Sequence, residues 1–139
     1  MKLNTLKYVT SLFICCSFTN SSLGLNFDQF AAAVAKVESN NNSKAIGDNG
    51  KAKGILQIHE ICFRDAAKYD KELAKFRYND CFNPAVSKRV LWAYCARYEP
   101  KALKEGNFEV LARLWNSGPG WAGKKSKTDN YWSKVKSNL

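Results

Sequence analysis

"VESNNNSKAIGDNGKAKGILQI", residues 37–58, sets a glutamate at the end of an apolar-periodic segment, then an asparagine-rich stretch, then glycines, then an apolar run. Upstream, Phe27, Phe30, Val34 and Val37 recur at three- and four-residue steps. That spacing predicts a helix from Asn26, with Asn26 as its cap and Gln29 three residues on. Glu38 continues the series Phe30, Val34 at a step of four, so it projects from a flank of the buried stripe. Ser39 to Ser43 is polar and ends the helix. Asn49-Gly50 signals a tight reversal, which predicts a short hairpin or glycine-rich loop over residues 44–54.

A carboxylate at a helix end is usually solvated, because glutamate is among the least buried residue types. Two features oppose that reading here. Apolar neighbours penalise the anion, and the negative end of the helix dipole repels it. Both favour a proton on Glu38 near neutrality, which a general acid needs and an ordinary glutamate has lost.

The rest of the chain reads as further helices. One is expected from near Ile58 to near Tyr69. Another starts at Asn83-Pro84, with proline at the first helical position and Val86, Val90, Leu91 and Tyr94 facing inward; Glu99-Pro100 closes it. Asn107 is positioned to cap a helix carrying Phe108, Leu111, Leu114 and Trp115, which stops before Ser117-Gly118-Pro119-Gly120. A last helix is expected from about Thr128, with Tyr131, Trp132 and Val135 as its apolar side. The fold class is therefore α+β and mainly α-helical.

Residues 1–24 read as a secretory signal: Lys2 and Lys7 precede the mostly apolar stretch Tyr8 to Phe18, and Ser22 and Gly24 suit cleavage near Gly24. The stretch is too short for a membrane span. Residues 25–139 then form one domain with a single core. The formal charge of +10 falls to +8 on loss of the two lysines, so a basic exported domain remains. Charge of that sign favours polyanionic partners such as cell walls, acidic glycans, nucleic acid or anionic membranes, and does not choose among them. Cys62, Cys81 and Cys95 are left, enough for one disulfide and one thiol. The absence of Cys-x-x-Cys and the single histidine, His59, argue against a structural zinc site.

Glu38-Ser39, Gly47-Asp48, Gly50, and Gly54-Ile55-Leu56-Gln57 together resemble the lysozyme superfamily, particularly soluble lytic transglycosylases (SLT type) and goose-type lysozymes. Further on, "WNSGPG" at 115–120 resembles the family's Asn-x-Gly-x-Gly segment, and "TDNYWSKV" at 128–135 its Thr-x-x-Tyr-x-x-x-Val ending. The stretch Lys71 to Asp80 carries none of the likeness. The resemblance implies a lysozyme-like fold, with a small β-hairpin or glycine-rich loop beside a helical bundle. It also implies cleavage of the β-1,4 bond between N-acetylmuramic acid and N-acetylglucosamine. Glu38 would be the acid, and Ser39, Gln57, Asn116 and Tyr131 would contact substrate or orient Glu38. Amide side chains both donate and accept hydrogen bonds, as sugar recognition requires. Trp115 and Trp121 offer flat apolar faces for sugar rings, with core packing as the plainer reading of Trp115. By the same likeness Cys62 and Cys81 would pair, although three pairings are open among three cysteines. Cys95 would be a buried thiol.

A two-carboxylate mechanism needs a partner for Glu38. Animal-type lysozymes carry an aspartate where this chain has Ala52. Asp48 is the remaining candidate, since Gly47-Asp48-x-Gly50 resembles the goose-type loop whose aspartate places an attacking water; it could equally stabilise the turn. The next acid of that family falls at His59, which by itself reads as a solvated residue at a helix start. Without Asp48 the substrate's own 6-hydroxyl can displace the leaving group, as in lytic transglycosylases. The expectation is thus an exported or periplasmic monomer acting on peptidoglycan glycan strands, with no cofactor, no metal, no nucleic-acid partner and no stable membrane anchor. Two other classes compete: a non-enzymatic cationic surface binder, and a carbohydrate-binding module that kept the groove and lost the chemistry.

Overall fold

The computed structural model describes residues 21–139. The expected leader lies, up to residue 20, outside the described residues. Helix α1 spans Ser21–Ser39, and a three-stranded antiparallel sheet follows: β1 (Ile46–Gly47), β2 (Ala52–Lys53) and β3 (Ile58–His59). Gly47 pairs with Ala52 and Ala52 with His59. Then come α2 (Glu60–Tyr69), two 3-10 turns at Leu73–Lys75 and Tyr78–Phe82, α3 (Pro84–Tyr98), α4 (Pro100–Glu105), α5 (Phe108–Ser117), a 3-10 turn at Trp121–Lys124, and α6 (Lys125–Lys136). The described residues are mainly helical with one small sheet, an α+β fold. No described helix is long and apolar enough to cross a membrane.

The core forms around α3, which buries Val86, Val90, Leu91, Ala93 and Cys95. A helix apolar on so many sides has to be surrounded, and α2, α4 and α5 all pack on it. Phe30 and Val34 of α1, Leu56 and Ile58 of the sheet region, and Leu111 and Leu114 of α5 complete one cluster. The asparagine caps form: the side chain of Asn83 accepts from the Ala85 amide at 2.9 Å, and that of Asn107 from the Val110 amide at 3.3 Å.

Several boundaries differ from those expected. Asn26 lies inside α1 rather than at its cap, since the helix already runs from Ser21. Ile58 belongs to β3, so α2 starts at Glu60. Pro100 both ends α3 and takes the first position of α4, a helix whose left-handed end falls on Gly106. The last helix starts at Lys125, three residues ahead of Thr128.

Cys62, Cys81 and Cys95 are free thiols, which corrects the pairing expected between Cys62 and Cys81. Cys62 opens from the first turn of α2 towards a cleft, while Cys81 is wholly buried beneath the sheet region. Burial pushes both thiols up to about 12, and the Cys81 thiol adds to the rise at Cys62. Both groups therefore stay protonated and unreactive.

Two connections hold the sheet and the C-terminal helices in place. The Tyr78 hydroxyl sits between the Lys51 and Ile58 carbonyls at 2.6 and 2.8 Å. Residues 71–80 thus supply a prop for the sheet. Arg113 of α5 is 4% exposed and donates to Asp129 at 2.8 Å, Thr128 at 2.7 Å and Glu109 at 2.8 Å. It clamps α6 to α5, and a buried guanidinium is tolerated because its donors are taken up in this way.

Candidate functional site

Glu38 lies in the last turn of α1, and the way that helix stops fixes where its side chain goes. Asn40 and Asn41 both take left-handed backbone conformations, φ 54° and 64°, which asparagine tolerates better than most residues. The Ser39 hydroxyl donates to the Ile55 carbonyl at 2.8 Å and accepts from the Asn42 amide at 3.1 Å. Ser39 therefore latches the helix end to the Gly54–Gln57 turn. Its hydroxyl is occupied there, and Ser39 is not among the residues lining the cleft described next.

That turn needs its glycines for two separate reasons. Gly54 has φ +75°, and a Cβ there would lie 2.0 Å from the Cys81 carbonyl oxygen. Gly47 has ordinary extended backbone, but a Cβ there would lie 2.1 Å from Oε1 of Gln57. The Gln57 amide is thereby folded over β1, and its Nε2 donates to the Gly54 carbonyl at 2.9 Å.

Glu38, Asp48, Gln57, His59, Trp115 and Asn116 line one cleft of about 580 Å³. They come from α1, the β1–β2 turn, the Gly54–Gln57 turn, β3 and α5, so the fold gathers residues far apart in sequence. Asn116 is exposed at the end of α5. Trp115 packs edge-on against Tyr94, ring centroids 5.9 Å apart, and so serves both the core and the cleft wall. Trp121 does not reach the cleft: its indole N–H donates to Glu99 at 2.8 Å. Ala52, at the place of an animal-type aspartate, is buried in β2.

The Tyr131 hydroxyl donates to Oε1 of Glu38 at 2.6 Å. Burial raises the Glu38 pKa above the ordinary carboxylate value and is the largest influence on it. The hydrogen bond from Tyr131 and the nearby Trp115 indole pull it back down, Asp48 pushes it up, and His59 pulls it down. Tyr131 is itself pushed well above the usual phenol range, first by burial and then by Glu38, and remains a donor at any physiological pH. Tyr131 thus holds Oε1, with the Trp115 indole close to the same carboxyl.

Asp48 stands on the same cleft wall with φ 49°. Its side chain is 67% exposed and its Oδ2 meets His59 Nε2 at 2.7 Å. Nothing in the sequence pattern pointed to that pair, because the two residues are joined only by the register of β1, β2 and β3. Tyr94 is legible as an inner residue of α3, yet it also lines the cleft. Among the described residues no group of three or more His, Cys, Asp or Glu side chains is arranged to hold a metal ion.

A site of this kind can protonate a leaving-group oxygen and hold a polar, ring-shaped ligand between amides and an indole. A family model described as "Transglycosylase SLT domain" matches residues 24–137. No curated protein and no solved structure matches the chain.

Proposed function

The chain belongs to the transglycosylase SLT domain family, and from that premise we propose that it cleaves the N-acetylmuramic acid–N-acetylglucosamine bond of peptidoglycan by a lytic transglycosylase mechanism with Glu38 as the single acid and base. Members of the family are lytic transglycosylases that cleave peptidoglycan glycosidic bonds, and the chain is an enzyme of that class. The choice of residue and of mechanism is our reading. The observation that carries it is the half-buried Glu38 with Tyr131 on one oxygen, lining one cleft together with Gln57 and Asn116.

In this mechanism the free oxygen of protonated Glu38 gives its proton to the glycosidic oxygen as the bond to the muramyl C1 breaks. Charge develops on the sugar ring, and the Glu38 carboxylate now facing it is stabilised by the Tyr131 hydroxyl. The same carboxylate takes the proton of the muramyl 6-hydroxyl as that oxygen closes onto C1. The products are a 1,6-anhydro end and a free 4-hydroxyl, with Glu38 protonated again. No water is consumed and no second carboxylate is required. The amides of Gln57 and Asn116 hold the acetamido and hydroxyl groups, and Trp115 offers an apolar edge.

A second reading is hydrolysis with inversion, in which Asp48 places a water. Glu38 and Asp48 are the two acids lining the cleft, which is what favours it. Against it stands the contact of Asp48 with His59, which engages one of its oxygens. Export also belongs to the proposal: residues 1–24 act as a cleaved leader, and residues 25–139 work as a monomer outside the cytoplasmic membrane. Cleavage near Gly24 would remove only the first residues of α1, ahead of the core residue Phe30.

Digestion of purified peptidoglycan followed by mass spectrometry of the fragments tests the reading. Fragments lighter by one water than hydrolytic ones are expected. Reducing ends alone would replace the transglycosylase with the hydrolase, and undigested walls would remove both.

A further inference from the structure

We propose that the cleft continues past Ile61 and Cys62 into a second compartment that receives the peptide stem of the wall polymer, so that the enzyme prefers stem-bearing strands. This rests on the reading of the cleft as a peptidoglycan site.

A cavity of about 490 Å³ lies between the outer face of α2 and the loop after α5. It shares Ile61, Cys62 and Tyr94 with the 580 Å³ cleft. A branch leaving a sugar strand in the cleft can therefore enter it along a common wall. Asp65, Tyr98 and Pro119 line the same cavity.

Two features give the compartment a chemistry distinct from that of the sugar cleft. Ile61 is 80% exposed, on the first turn of α2 where the two spaces meet. It contributes little to the core, and covering it would release water from a large apolar side chain. Arg64 and Lys68 follow it at steps of three and seven, which puts all three on one face of α2. The acids around this face already have partners: Glu60 accepts from Arg64 at 2.6 Å, and Asp65 accepts from the Tyr98 hydroxyl and faces Arg97 at 3.4 Å. Lys68 joins none of the ion pairs among the described residues. The compartment thus offers an apolar rim and a spare cation.

Peptidoglycan supplies a matching group. Its stem is a short peptide with free carboxylates and small apolar side chains, joined through a lactyl ether to the sugar beside the scissile bond. It must leave the cleft close to Glu38, and an apolar rim followed by an ammonium fits that sequence of groups. Bare chitin-like strands have nothing to place there.

The test compares intact peptidoglycan with strands stripped of their peptides, using the full mature chain and the variants Lys68→Glu and Lys68→Ala. The wild type should show higher kcat/KM on intact material. Lys68→Glu should lose about two- to fivefold there, the size of one exposed charge contact. Its rate on stripped strands and its melting temperature should not change, and added salt should shrink the preference. Equal rates on both substrates, or an equal loss on both in Lys68→Glu, would overturn the stem compartment while leaving the enzyme intact. No cleavage of either substrate by the wild type would defeat the underlying activity instead.

Discussion

The hydroxyl of Tyr131 and the carboxyl of Glu38 meet at 2.6 Å although 93 positions separate them. The contact joins the end of α1 to the middle of α6, and α1 and α6 pack directly on each other. Arg113 holds α6 in turn by bridging Asp129 and Glu109. Control over the proton on Glu38 is thus distributed: burial raises its affinity for that proton, and the Tyr131 hydrogen bond to Oε1 limits the rise.

Replacing Tyr131 by Phe separates those two effects. The donor that stabilises the anion is lost, so the Glu38 pKa rises further and the high-pH limb of the pH–rate profile moves upward. Hydrogen bonds to ionised groups are worth ~1.5 kcal/mol, so kcat should fall about tenfold. A profile that stays in place, or moves down, would show that the hydroxyl does not govern the acid.

Glu38→Gln removes the transferable proton and keeps an oxygen for Tyr131. Muropeptide release should fall by about 10²- to 10⁴-fold, the usual contribution of a general acid. Stability should change in the opposite sense. A carboxyl whose pKa is higher folded than unfolded binds its proton more tightly in the native state, so its contribution is complete below the unfolded value and fades as pH rises through the folded one. Glu38→Gln should therefore melt above the wild type at neutral pH, with the gap closing in acid. Matching melting curves at pH 7 would mean that Glu38 is not strained by burial.

The two loop glycines should fail in different ways when changed to Ala. Gly54→Ala combines a left-handed backbone with backbone atoms 2.0 Å from the new Cβ, and should destabilise the fold by ~2 kcal/mol or more. Gly47→Ala meets only the far end of the Gln57 side chain, which can swing away. Its melting temperature should stay near the wild type while KM rises, because the amide has left its place. Thermal melts alongside steady-state kinetics distinguish the two, and a Gly47→Ala enzyme with unchanged KM would remove Gln57 from substrate binding.

Asp48 and His59 act on Glu38 with opposite sign. Asp48→Asn should lower the Glu38 pKa and draw the high-pH limb down, whereas His59→Gln should raise both. Anhydro products should persist in each variant. Exclusive loss of cleavage in Asp48→Asn, with Glu38 still protonated, would restore Asp48 as the partner in a hydrolytic route.

Sequence periodicity exposed the helices whose ends carry chemistry as well as pattern. Asn83-Pro84 and Asn107 mark real caps because their side chains answer unpaired amides close by. Helix α4 was hidden because Pro100 can stop one helix and open the next, and six residues hold too little pattern to tell which. Glu38, Gln57, Asn116 and Tyr131 could each be singled out in sequence. The roles of Ser39 and Trp121 could not, since each depends on a distant partner, Ile55 and Glu99, that no local pattern announces. The thiols illustrate the same limit: a count of three cysteines allows a bridge, and only the spatial arrangement shows Cys62, Cys81 and Cys95 as free thiols.

The last helix is tied to the chemistry without walling the groove: Tyr131 reaches Glu38 from α6, while the cleft lining ends at Gly118. A change confined to α6 can therefore retune the acid and leave the shape that meets the ligand as it was.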